Sequence, residues 1–79
     1  MVNKKIISIV SPCYNEENNV SACYESVKKI FLEQLPNYDF EHIFSDNCSE
    51  DRTVEVLRDI AKKDRRVKVI VNSRNYGPF

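Results

Sequence analysis

Three short polar clusters carry nearly all the chemistry that this 79-residue chain can offer. They are Pro12-Cys13-Tyr14-Asn15-Glu16-Glu17, then Asp46-Asn47-Cys48-Ser49-Glu50-Asp51, then Asn72-Ser73-Arg74-Asn75-Tyr76-Gly77. Together they supply carboxylates (Glu16, Asp46, Asp51), amides (Asn15, Asn47, Asn75), the ring of Tyr14 and the guanidinium of Arg74. A carboxylate accepts well from the ring N–H of a pyrimidine or guanine and from ribose hydroxyls. Phosphate is a poor partner for the first cluster, because Glu16 and Glu17 would repel it. That cluster also has no glycine to let a pyrophosphate approach the backbone. Gly77 is the chain's one glycine, so the dinucleotide fingerprint and the Walker loop are both excluded. A nucleotide held here must present its base and ribose. Its diphosphate must be neutralised elsewhere, most simply by a divalent cation.

The elements between the clusters bring them together. Residues 6–11 are rich in isoleucine and valine with little alternation, which predicts a strand buried on both faces of a parallel sheet. Pro12 cannot donate to a ladder and marks the strand's end. From about Glu17 a helical period takes over, with Val20, Cys23, Tyr24, Val27, Ile30 and Phe31 on one face. Asn15 is a candidate N-cap, Glu16 and Glu17 suit the positive end of the dipole, and Pro36-Asn37 stop the helix. Alternation predicts a second strand over 40–45. A second helix carries Val54, Leu57, Ile60 and Ala61 on one face, with Ser49 or Asp51 as cap and Asp64-Arg65-Arg66 closing it. Residues 67–71 form a third strand. The order βαβαβ with right-handed crossovers makes an α/β half-Rossmann unit, a three-stranded parallel sheet with the second strand central or at one side. Every strand then ends at one edge, where ligands of open α/β sheets bind.

Length and composition bound the rest. The chain is one small domain that buries roughly 60% of its unfolded surface. Twelve basic residues balance twelve acidic ones, which excludes nucleic acid or a membrane surface held by bulk charge. The apolar run after Lys4 and Lys5 is too short for a signal peptide, and no run approaches a membrane span. Cys13, Cys23 and Cys48 form no C-x-x-C pair and His42 is the only histidine, so a zinc site is not expected. Three reduced thiols fit a cytoplasmic protein. The sequons at Asn19 and Asn47 are read as chance.

The segment Ile7-Ser8-Ile9-Val10-Ser11-Pro12-Cys13-Tyr14-Asn15-Glu16-Glu17 resembles the opening motif of the family 2 glycosyltransferases, which have the GT-A fold. Ser45-Asp46-Asn47-Cys48-Ser49-Glu50-Asp51-Arg52-Thr53 resembles their second, acidic motif. Ser73-Arg74-Asn75-Tyr76-Gly77 is similar to a third segment, seen notably in members acting on polyprenyl phosphates. Three motifs in order span essentially the whole chain. The resemblance implies the N-terminal part of a GT-A fold, a UDP- or GDP-linked sugar donor, inverting transfer to polyprenyl phosphate or a glycan, and a role in cell-envelope polysaccharide synthesis. It places Pro12, Tyr14, Asn15 and Glu16 around the base and ribose. Asp46 takes a base or ribose hydrogen bond with Asn47 and Ser49 beside it, and Arg74, Asn75 and Gly77 border the diphosphate. Asn47 stands where many members have a second aspartate, and Arg52 where glycine is usual. An amide donates or accepts, so Asn47 does not choose uracil over guanine. The family's metal-binding Asp-x-Asp and catalytic base lie beyond the third strand. Mg²⁺ or Mn²⁺ is therefore expected in the complete enzyme, with no metal ligand, no catalytic residue and no turnover expected of these residues alone. The complete protein is expected in the cytoplasm, at the inner face of a membrane.

Plainer readings stand beside these. Glu17 is explained by the helix dipole, whereas Glu16 reads as a ligand contact. Asp46 reads as a ligand contact against a local turn bond, and Asp51 as a cap. Tyr14 either packs over the sheet edge or meets the ligand. Tyr24, Phe31, Phe40 and Phe44 are core, His42 has no catalytic partner pattern, Arg65, Arg66 and Lys68 form a solvated rim, and Cys13 is a packed thiol. The rival function is a receiver-like regulatory module with Asp46 as phosphoacceptor, although no strand-end lysine accompanies it. In the GT-A fold a later strand covers the first strand's outer edge. Left open, that flat apolar edge is expected to self-associate.

Overall fold

A computed structural model describes residues 4–72. Five elements follow in the expected order: β1 (Lys5–Cys13), α1 (Val20–Glu33), β2 (Tyr38–Asn47), α2 (Thr53–Lys63) and β3 (Val67–Asn72). The strands form one parallel sheet in the order β1-β2-β3, so β2 is central. The register pairs Ile7 with Phe40 and His42 with Val67, and at the carboxyl edge Cys13 with Asp46 and Asn47 with Asn72. The three strands therefore finish together.

Both crossovers step the same way across the sheet. Right-handed connections then place α1 and α2 on the same face. The burial of β2 follows from this. Phe40, His42, Phe44 and Asp46 are buried beneath the helices, while Asp39, Glu41, Ile43 and Ser45 on the opposite face are only half-buried. The core joins Cys13, Val20, Tyr24, Phe44, Leu57 and Val67, with Cys23, Val56, Ile60, Ala61 and Val69 packed against it. Phe31 stacks on Phe40 with ring centroids 4.7 Å apart. Leu57 and Phe44 are fully buried. Each such side chain contributes about 1.5–3 kcal/mol relative to exposure.

Three expectations are corrected. Residues 6–11 are not buried on both faces: Ile6 is 67% and Val10 61% exposed. A three-stranded sheet with both helices on one side covers only one face, and β1 is an edge strand. Pro12 does not end the strand, which runs on to Cys13. An edge strand tolerates a proline whose missing N–H would have pointed outward. Arg66 is not a solvated rim residue. Its guanidinium lies 4.4 Å from the Phe40 ring centroid, and it grips Asp64 through Nε at 2.9 Å and a terminal nitrogen at 3.0 Å. Tyr24 donates its hydroxyl to the same carboxylate. The Arg66 hydrogen bonds hold the Asp64 carboxyl well below the usual carboxylate range. Burial, and then the bond to Asp64, push the Tyr24 hydroxyl up to about 12. Asp64 thus ties the end of α2 to α1 and to the start of β3.

His42 is completely buried, with Nε2 2.9 Å from Ser11 Oγ, its ring stacked on Phe44, and Nδ1 without a hydrogen-bond partner. Burial lowers its pKa from the ordinary value of 6.5, so the native ring is neutral where the unfolded ring takes a proton. The unfolded state then binds more protons, and stability rises with pH. Urea denaturation is expected to show stability constant above about pH 7.5 and falling as the pH drops through about 6.5. Unchanged stability between pH 7 and about pH 5.5 would contradict a neutral, buried His42.

Candidate functional site

The first two polar clusters meet at the carboxyl edge of the sheet, and long-range hydrogen bonds join them. Asn15 takes the left-handed conformation, φ 50°. Asparagine tolerates that region better than most residues. The turn sends the Asn15 N–H to Ser49 Oγ at 2.8 Å and the Glu16 N–H to Thr53 Oγ1 at 2.8 Å. In return, Asn15 Oδ1 accepts from the Glu50 N–H at 2.8 Å and the Asp51 N–H at 3.4 Å. The Glu17 N–H reaches Asp51 Oδ2 at 3.3 Å. Asn15 Oδ1, the oxygen that a cap would offer to its own helix, is thus spent on the second cluster. Asn15 therefore does not cap α1, which begins at Val20 with Asn19 at the cap position.

The second cluster is braced from within. Asp46 is fully buried; it accepts from the Ser49 N–H at 3.0 Å and from the Ser49 hydroxyl. This is the local turn bond weighed above, and it sets the Ser49 oxygen that receives Asn15. Cys48 is left-handed, φ 61°, and its Sγ donates to the Asn72 carbonyl at 2.9 Å. Asp51 accepts from the Thr53 N–H at 2.9 Å and from the Thr53 hydroxyl. Burial alone would raise the Asp51 carboxyl, but these hydrogen bonds and that from Glu17 bring it below its ordinary value. Neither Ser49 nor Asp51 is the cap of α2, a position that Arg52 holds, but Asp51 still stabilises the entry to the helix through Thr53.

The expected ligand residues are distributed unevenly. Tyr14 is 53% exposed and outside the core. Glu16 is half-buried and accepts from Asn19 Nδ2 at 3.1 Å. Pro12 and Glu16, with Ser11, Cys13, Asn19 and Val20, line a cavity of about 220 Å³ beside the end of β1. Asn47 is exposed, and its Oδ1 lies 2.8 Å from Asn72 Nδ2, which also reaches Ser45 Oγ at 3.2 Å. Arg74, Asn75 and Gly77 lie outside the described residues. Burial, then the charges of Asp46, Cys23 and Glu16, push the Cys13 thiol up to about 11, so it is packed and unreactive. Among the described residues no three His, Cys, Asp or Glu side chains form a metal-holding set. None of the described helices is long and apolar enough to cross a membrane.

Thr53 and Asn72 join the site beyond the residues expected to meet a ligand. The Asp51-x-Thr53 spacing at a helix start signals the first. The position of Asn72 at a strand's carboxyl end, the criterion that selected Asn47, signals the second.

Two effects at Asn15 can be separated by mutation. Asn15→Ala loses the Oδ1 acceptor and incurs a left-handed backbone cost, together about 2 kcal/mol. Asn15→Gly loses only the acceptor, about 1 kcal/mol. Urea denaturation is expected to rank the alanine variant below the glycine variant, and both below the parent. Equal stability of all three would mean that the turns are not held by this residue.

Residues 8–79 match the glycosyl transferase family 2 domain. The uncharacterized glycosyltransferase YkcC of Bacillus subtilis is 41% identical over 70 residues, covering 89% of this chain and 21% of its own length. The poly(ribitol-phosphate) beta-glucosyltransferase of Bacillus spizizenii is 37% identical over 71 residues, 90% of this chain and 11% of its own. The prophage bactoprenol glucosyl transferase homolog of Escherichia coli is 32% identical over 71 residues, 90% of this chain and 22% of its own. The chain spans about a fifth or less of the length of these relatives. A match over nearly every residue, on a parallel βαβαβ unit with its acidic turns at one edge, places the chain in glycosyl transferase family 2.

Proposed function

We propose that this chain is the donor-binding part of an inverting glycosyltransferase that uses a UDP- or GDP-linked sugar. The observation that carries the reading is the joining of the two acidic turns by Asn15, Ser49 and Thr53. It gives a polar rim whose backbone is already fixed before a ligand arrives. Tyr14, Asn15, Glu16 and Asn47 would meet the base and ribose. Asp46 would join them when a ligand N–H replaces the Ser49 hydroxyl as its donor. Pro12 shapes the floor, and Arg74, Asn75 and Gly77 belong to the diphosphate side.

In the complete enzyme a carboxylate would take the proton of the acceptor, and the acceptor oxygen would attack the anomeric carbon. The bond from that carbon to the diphosphate would break, releasing the nucleoside diphosphate. Mg²⁺ or Mn²⁺, held by residues of the complete enzyme, would offset the charge on the leaving group. The acceptor would be polyprenyl phosphate or a glycan, a choice supported by relatives whose names specify bactoprenol and poly(ribitol-phosphate) substrates. Action at the inner face of a membrane, in building cell-envelope polysaccharide, follows from such an acceptor. Among the described residues no lysine stands at a strand's carboxyl end beside Asp46, so the receiver-like reading lacks the cation it needs.

Amide NMR spectra of the ¹⁵N-labelled chain test the proposal, recorded with UDP, GDP and ADP, with and without Mg²⁺. UDP or GDP is expected to move the amides of Tyr14, Asn15, Glu16 and of residues 46–49, and ADP to move them less. A dispersed spectrum in which no nucleotide moves these amides would overturn it.

A further inference from the structure

At the carboxyl end of the sheet, on the face away from the helices, β2 and β3 are joined by their amide side chains. Asn47 and Asn72 are register partners. Residues 45 and 47 alternate with the buried Phe44 and Asp46, which puts both on that face. Asn72 Nδ2 donates to Ser45 Oγ at 3.2 Å and to Asn47 Oδ1 at 2.8 Å, so both of its N–H groups are used. The Asn72 backbone is held as well, because Cys48 Sγ donates to its carbonyl at 2.9 Å.

This contact fixes the polarity of Asn47. An asparagine amide offers a carbonyl oxygen at one end and two N–H donors at the other, and turning it round exchanges them. Asn72 takes the oxygen end. Asn47 Nδ2 is then turned outward, with no protein partner among the described residues. Turning both amides round would keep the contact between them. It would also leave the two N–H groups of the half-buried Asn72 without Ser45 and Asn47 to accept them. Leaving donors unpaired costs more in the more buried residue. Asn47 is exposed, so water satisfies its N–H groups until a ligand takes the place of that water.

An outward N–H₂ group meets only an acceptor. Uracil and guanine each present a ring N–H beside a carbonyl oxygen, and the two atoms need partners of opposite kind. The ring N–H suits a carboxylate, and the carbonyl suits an amide N–H. An aspartate at position 47 could only accept, and would repel that carbonyl.

We infer that Asn72 is a positioning residue that holds the Asn47 amide with its N–H₂ group outward, so that Asn47 donates to a carbonyl oxygen of the nucleotide base and leaves the ring N–H to a carboxylate. The inference rests on the nucleotide-sugar reading above for its ligand, but not for the orientation of the amide. Uracil and guanine both carry such a carbonyl and adenine carries none. The contact therefore separates UDP and GDP from ADP without choosing between the first two.

Two measurements on the chain test this. In the ligand-free ¹³C,¹⁵N-labelled chain, a coupling through the hydrogen bond is expected from Asn72 Nδ2 to Asn47 Cγ, and none from Asn47 Nδ2 to Asn72 Cγ. The reverse coupling, or neither, would overturn the inference and leave the functional reading untouched. UDP and GDP are then titrated in about 0.5 M salt, which screens the diphosphate charge. Bound nucleotide is expected to shift the Asn47 side-chain N–H₂ resonances. Asn47→Ala is expected to weaken binding about tenfold, the loss of one hydrogen bond. Asn47→Asp is expected to weaken it further, by setting an acceptor against the carbonyl. Asn72→Asp is expected to weaken it too without touching the ligand, because a carboxylate there accepts from Asn47 Nδ2 and turns the amide round. Folding of each variant is read from its amide dispersion. The coupling and the variants of the exposed Asn47 keep the test decisive where Asn72→Asp fails to fold. Tighter binding by Asn47→Asp than by Asn47→Ala, or parental binding by a folded Asn72→Asp chain, would overturn the inference. If neither nucleotide binds although the coupling is as expected, the contact with the base falls together with the functional reading, and only the orientation of the amide stands.

Discussion

All three strands of this molecule end at one edge because the sheet is parallel, and both crossovers step the same way across it. The consequences reach every part of the fold. The helices lie on one face, β2 becomes the central strand, and its alternate residues divide between a sealed core and a half-open surface. The polar turns after β1 and β2 are brought within hydrogen-bond distance although they lie more than thirty positions apart in sequence. Among the described residues, the same constraint leaves the outer edge and one face of β1 uncovered.

The sheet is fastened differently at its two ends. At the amino edge, charge and packing act together. Asp64 accepts from Tyr24 and is paired with Arg66, and the Arg66 guanidinium lies over the Phe40 ring. At the carboxyl edge the bonds run between backbone amides and short side-chain oxygens, those of Asn15, Ser49, Asp51 and Thr53. Short side chains lose little entropy when fixed. They hold backbone in an exposed position without filling the space above it, which suits an edge that must receive a ligand. Two non-glycine residues there, Asn15 and Cys48, have positive φ. Such conformations persist where the surroundings over-determine them.

The elements were legible in the sequence because each follows from local periodicity. Isoleucine and valine runs gave the outer strands, alternation around Phe40 and Phe44 gave the central one, and three- and four-residue spacing gave both helices. Their convergence at one edge followed from the βαβαβ order alone. What could not be read depends on partners distant in sequence. Asn15 does not cap α1 because its side-chain oxygen is turned to the Glu50 and Asp51 amides, and the helix starts only at Val20. Arg66 looked solvated because nothing nearby in the sequence shows Phe40 beneath it. The exposure of β1 depended on strand order, which hydrophobicity does not encode. Of the candidate site, the two turns and their residue types were readable. The inward commitment of Asp46 to Ser49, which braces the second turn, required coordinates.

The carboxyl edge is already formed before any ligand arrives. Native-state amide hydrogen exchange of the ligand-free chain tests that most directly. The amides of Asn15, Glu16 and Glu50 are donated to Ser49, Thr53 and Asn15 and should exchange as slowly as the amides of β2, through the same opening. Exchange of these three at the rate of an unstructured peptide, with β2 still protected, would contradict a preformed edge and leave the turns to be ordered by the ligand.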